Sequence, residues 1–156
     1  MTNLASLEYR RAATQQASVV GLVIALHDTL IGNLKRAADA MDRNDIATRC
    51  DQLIHGFKVI TQLEAMLDRN NGGAAAVSIE RFYKHVRAQM LNAQFKLDPA
   101  ILRDQVRVVM EVRQAWQQVD SAPMEARRTQ PNYPSAPVEI LQPIETEAHT
   151  SFSCSG

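Results

Sequence analysis

From Ala17 to Val119 the apolar residues of this 156-residue chain recur at steps of three and four, and no stretch alternates apolar with polar. A period near 3.6 demands helices and leaves no sheet to organise the fold. Three short breaks divide the run. Asp42-Arg43-Asn44-Asp45 supplies a turn and an N-cap. Asn70-Asn71-Gly72-Gly73 offers residues that accept left-handed backbone at a helix end. Asp98-Pro99 caps a new helix and opens it with a residue whose missing N–H costs nothing there. Four amphipathic helices are therefore expected, over about 17–41, 46–67, 75–94 and 99–119, and links this tight force antiparallel neighbours. The expected fold class is all-α, an antiparallel four-helix bundle.

Composition bounds the rest. Hydrophobic residues make up 46% of the chain, ample for one core. Five of the six prolines lie beyond Ser121 among Ser, Thr, Gln and Glu, without helical period, which predicts a disordered tail over 121–156. The organisation expected is thus an N-terminal leader (1–16), a bundle (17–120) and that tail. Seventeen Lys and Arg balance seventeen Asp and Glu, so no global field recruits nucleic acid or an anionic membrane. The start of the chain lacks a signal-peptide pattern and no later stretch is long and apolar enough for membrane insertion, so a cytoplasmic location is expected. Cys50 and Cys154, far apart in any compact arrangement, read as free thiols.

The apolar arcs are wider than the packing of four helices requires. The inward stripes read as Val20, Ile24, His27, Ile31, Leu34 and Ala38 on helix 1, and Ile46, Cys50, Leu53, Phe57, Ile60 and Leu67 on helix 2. Helix 3 follows with Ile79, Phe82, Val86, Met90 and Ala93, and helix 4 with Ile101, Val108, Val109, Val112 and Trp116. Left over are Leu22 and Leu26 at the edge of helix 1, a side patch of Val59, Leu63 and Met66 on helix 2, and Leu102, Val106 and Met110 on helix 4. Helix 3 carries a second stripe, Val77, Ala88, Leu91 and Phe95 with the stem of Lys84, opposite the first. One face cannot pack where the other does. Such surface is covered by loops, by the leader, by self-association into a homodimer, or by the apolar face of a partner helix.

Chemistry is sparse by comparison. The four histidines show no metal-binding spacing, and His27, inside an apolar stripe, reads as a hydrogen-bonded core residue. No paired carboxylates, metal ligands or cofactor motif are indicated, so no enzyme activity and no cofactor is expected. His55-Gly56-Phe57-Lys58 resembles the His-x-Phe/Leu-Lys segment of histidine phosphotransfer domains, with His55 off the core stripe and Lys58 as a cation for phosphate. Val59 is bulkier than the small residue usual after that lysine.

Order and spacing over residues 5–119 resemble the FliS family of flagellin export chaperones. The segments that carry the likeness begin with Tyr9 and Gln15-Gln16-Ala17-Ser18, then Leu26-His27-Asp28 with Leu34-Lys35-Arg36-Ala37, and Asp45-Ile46. It continues through Leu67-Asp68 to Gly72-Gly73, Phe82-Tyr83 with Asn92-Ala93, and Val112-Arg113-Gln114-Ala115-Trp116. Departures are Ser6 and His27 for tyrosines, Val19 for a common proline, Thr29 for a glycine, and a longer tail.

The resemblance implies a cytoplasmic bundle that binds the disordered C-terminal segment of flagellin, prevents premature polymerisation and presents it to a component of the flagellar export gate. It also implies that the leader around Tyr9 caps a hydrophobic groove. Residues expected to touch the partner are Tyr9, Leu22, Leu26, Val77, Leu91 and Phe95, with Val59 and Leu63 next. The alternatives are a phosphotransfer domain using His55 and a self-associating structural bundle.

Overall fold

The computed structural model describes residues 3–122, with backbone alone for Asn3 and for 12–18. Among the described residues four helices follow one another: α1 (Asn3–Asp42), α2 (Ile46–Ala65), α3 (Gly73–Lys96) and α4 (Pro99–Ser121). Packing runs around a square. α1 lies against α2 and α4, and α3 closes the bundle against those same two, so α1 and α3 stand on a diagonal.

The breaks work as the side chains dictate. Asp45 accepts a hydrogen bond from the Thr48 amide at 3.1 Å and Asp98 one from the Ala100 amide at 2.9 Å, each satisfying a donor that the first helical turn leaves free. Asp68 accepts from the backbone amide and side-chain amide of Asn71 and from the backbone amide of Asn70, which turns the chain out of α2 and holds its carboxyl below the usual carboxylate range. Gly73 then enters α3 at φ +56, a conformation that costs other residues about 1 kcal/mol or more.

α1 departs from expectation. It runs 40 residues, and residue 16 is no boundary of secondary structure. Leu, Ala, Glu, Arg and Gln dominate positions 4–16, with no Gly or Pro among them, so nothing there stops a helix. Val19 likewise lets it continue where proline would interrupt it. Leu4 and Leu7 are exposed on the helical extension.

One continuous core fills the bundle. Leu30 and Leu34 from α1 meet Ile60 and Leu63 from α2, Phe82, Tyr83, Val86 and Met90 from α3, and Leu102, Val109 and Trp116 from α4. Gly56 sets a close approach within it. A Cβ at that position would stand 2.8 Å from Met90 Cε and 3.5 Å from Leu30 Cδ1, so its absence lets side chains from α3 and α1 reach the α2 backbone. That contact turns the Leu53, Gly56, Val59, Ile60, Leu63 face of α2 inward. Ile46, expected inside, is exposed as a result.

Polar clasps tie the helices at the rim. Arg113 on α4 grips Asp28 on α1 through Nε and Nη2, at 2.6 and 3.2 Å. Arg103 reaches Asp39 and Asp42 on the same pair of helices. Arg36 on α1 donates to Gln52 on α2 at 2.8 Å. Among the described residues no helix is long and apolar enough to cross a membrane.

Candidate partner-binding surface

α3 has two faces. At 100° per residue, Ile79, Phe82, Tyr83, Val86, Met90 and Ala93 fall on one side, and all six are buried. Val77, Lys84, Ala88, Leu91 and Phe95 fall within about 60° of one another on the opposite side. Their exposure is the decisive observation: Val77 is 47%, Leu91 56% and Phe95 81% exposed. The stripe extends about 27 Å along the helix at 1.5 Å per residue. Leu97, just beyond it, is also exposed and holds the left-handed conformation at φ 53 that ends α3.

A second apolar feature adjoins α3 on the side of α2. An open hollow of about 370 Å³ is lined by Ile54, Phe57, Lys58 and Thr61. Arg87 of α3 bridges the seam beside it, donating to Glu64 at 2.8 Å and Thr61 at 3.1 Å, with its guanidinium carbon 6.0 Å from the centre of the Phe57 ring. The bridge fastens α2 to α3 at the rim while leaving apolar surface outside it.

The other expected contact residues separate into two groups. Tyr9 and Leu22 are exposed on α1, while Leu26 is half-buried and packs against the core. Val59 and Leu63 are corrections. At 7% and 1% exposure they are core residues, because the Gly56 approach rotates α2 so that their face points inward. Leu102 and Val106, counted as surplus on α4, are buried for a similar reason: the inward face of α4 is centred between them and Val109. Ile54, not singled out from the sequence, is exposed, as is Val19. Ile54 sits one turn from Phe57 and Lys58, a spacing that marks a shared helix face.

His27 is buried, as its place in an apolar stripe implied. Its Nδ1 lies 2.7 Å from the Val23 carbonyl oxygen, which can only accept, so Nδ1 carries the proton. Its Nε2 is then the acceptor for the Tyr83 hydroxyl at 3.2 Å. Burial pushes the imidazole down to about 4, and it is neutral at physiological pH. His55 is exposed beside the exposed Lys58, and Cys50 is half-buried and free. Cys154 and the expected disordered tail lie outside the described residues. No group of three His, Cys, Asp or Glu side chains is placed to hold a metal ion among the described residues.

The sequence as a whole is similar to known proteins. The family model described as flagellar protein FliS matches residues 1–123. The flagellar secretion chaperone FliS of Vibrio cholerae is 25% identical over 114 residues, covering 73% of this chain and 82% of the relative. That of Bacillus subtilis is 24% identical over 110 residues, covering 70% and 81%. The flagellar secretion chaperone FliSB of Pseudomonas aeruginosa is 26% identical over 83 residues, covering 53% and 66%.

Proposed function

This chain belongs to the FliS family of flagellar secretion chaperones, and on that premise we propose that it holds the C-terminal segment of flagellin in the bacterial cytoplasm before export. The family is non-enzymatic. What the protein supplies is therefore surface, and the observation that carries the reading is the exposed stripe Val77, Leu91 and Phe95 on α3. A monomeric bundle gains nothing from three large apolar side chains aligned on the face opposite its core.

The energetics suit a ligand that folds as it binds. Ordering a disordered segment costs several kcal/mol, recovered by burying extended apolar area. At about 25 cal/mol per Å², some 1,000 Å² of apolar burial contributes on the order of 25 kcal/mol gross. An amphipathic segment laid along α3 and continuing over the α2 hollow would bury Leu91, Phe95, Ile54 and Phe57 together. Tyr9 and Leu22 on α1 offer a further contact on another side. Covering such surface on flagellin keeps it from polymerising, and the bound complex is then presented to a component of the export gate.

Calorimetric titration of the full chain with a flagellin C-terminal segment, followed by far-UV circular dichroism, tests this. Saturable heat with a gain of helix is expected. Absence of both, with a concentration-dependent mass instead, would replace the reading with a self-associating homodimer.

A further inference from the structure

The outer face of α3 carries charge as well as apolar surface. Arg81, Lys84 and Lys96 are exposed along it. Arg81 and Lys96 form no ion pair among the described residues, and Lys84 approaches only Glu80, at 3.7 Å, a carboxylate that Arg69 already engages at 3.1 Å. The face is thus apolar with an uncompensated positive border. Its best complement is an apolar segment bearing glutamates.

The chain itself contains one. Beyond Arg128 the sequence has three glutamates, Glu139, Glu145 and Glu147, and no lysine or arginine. They surround the apolar residues of Pro137-Val138-Glu139-Ile140-Leu141-Gln142-Pro143-Ile144. Val138, Leu141 and Ile144 recur every third residue between and beside two prolines.

Topology allows the meeting. α3 and α4 are antiparallel neighbours joined through Leu97 and Asp98, so the end of α4 at Ser121 lies at the same end of the bundle as the start of α3. The 16 residue steps from Ala122 to Val138 can reach at most about 50 Å. We propose that the segment Val138–Glu147 lies along the outer face of α3, its apolar edge on Leu91 and Phe95 and its glutamates against Arg81, Lys84 and Lys96. Tethering places the segment at an effective concentration on the order of millimolar, so an intrinsically weak contact suffices to occupy the face much of the time. An external ligand of α3 then binds by displacing the tail. The inference does not depend on which ligand that is.

A nitroxide on Cys154 in the full-length Cys50→Ser protein tests it with no ligand present. Selective loss of amide signals from residues 84–96 is expected, and it should be reversed by Leu91→Asp and, independently, by combined Glu139→Lys, Glu145→Lys and Glu147→Lys. Both sets of changes lie on exposed or tail positions, so the bundle fold persists. Uniform or absent broadening would overturn the proposal, as would broadening that survives both sets. Broadening transferred to an isotope-labelled, nitroxide-free copy in a mixed sample would assign the contact to a second molecule and overturn it as well.

Discussion

Tyr83 on α3 donates its hydroxyl proton to Nε2 of His27 on α1, joining two helices that stand on the diagonal of the bundle. The ring centres are 5.7 Å apart and the imidazole has no water-facing edge. The pair makes the neutral histidine a structural element, and titration follows from it. Folding holds the imidazole at about 4, below its ordinary 6.5, so the unfolded chain binds the extra proton in that interval. Stability is therefore full above pH 6.5 and falls as pH drops toward 4, by roughly 3 kcal/mol in total. Denaturant midpoints measured across pH 4–7 should show this slope, and His27→Gln should flatten it. Tyr83→Phe leaves Nε2 without its donor and should cost about 1–3 kcal/mol at neutral pH.

Gln105 is buried on α4, and its Oε1 accepts no hydrogen bond from any described residue. A buried acceptor without a partner costs about 1–3 kcal/mol. Gln105→Leu, close in volume, should raise the unfolding midpoint, as chemical denaturation would register. A drop would mean that the oxygen is satisfied by solvent or by the chain beyond Ala122.

Leu63 and Phe95 test which apolar residues belong to the core. Leu63→Ala should destabilise the protein by about 2–5 kcal/mol, and Phe95→Ala should stay within about 0.5 kcal/mol of the parent. Thermal or urea unfolding of the two variants side by side distinguishes the roles. Comparable losses would contradict the assignment of the α3 outer face as lying outside the core.

The grip of Arg113 on Asp28 is bidentate but half open to solvent. The hydrogen bonds that Arg113 donates to Asp28 hold its guanidinium protons more tightly than usual. Asp28→Asn should cost no more than about 1 kcal/mol, and the difference should shrink in high salt, because exposed pairs are screened.

How much of this could be read from residues alone differs from helix to helix. The two faces of α3 were legible because its large apolar residues fall into two groups on opposite sides, with Lys84 and Ala88 between members of the outer group. α4 was legible at its start, where Asp98 and Pro99 leave one solution. On α2 the apolar positions form an arc so broad that two adjacent stripes satisfy it, and the inward one is rotated about 60° from the stripe through Ile46 and Cys50. Only Gly56 discriminates: a glycine inside a helix carries a propensity cost, and close approach of Met90 and Leu30 is what offsets it. The continuity of α1 was obscured for another reason. Family likeness suggested a leader, whereas local propensity over positions 4–16 favours uninterrupted helix.

The central claim is that the outer face of α3 is the surface that holds the flagellar ligand. Titrating a flagellin C-terminal segment into the parent protein and into a Leu91→Asp, Phe95→Asp variant, with unfolding curves confirming that both are equally stable, tests it most directly. Affinity should fall at least tenfold in the variant, equivalent to about 1.4 kcal/mol or more. Unchanged affinity in an equally stable variant would contradict the account.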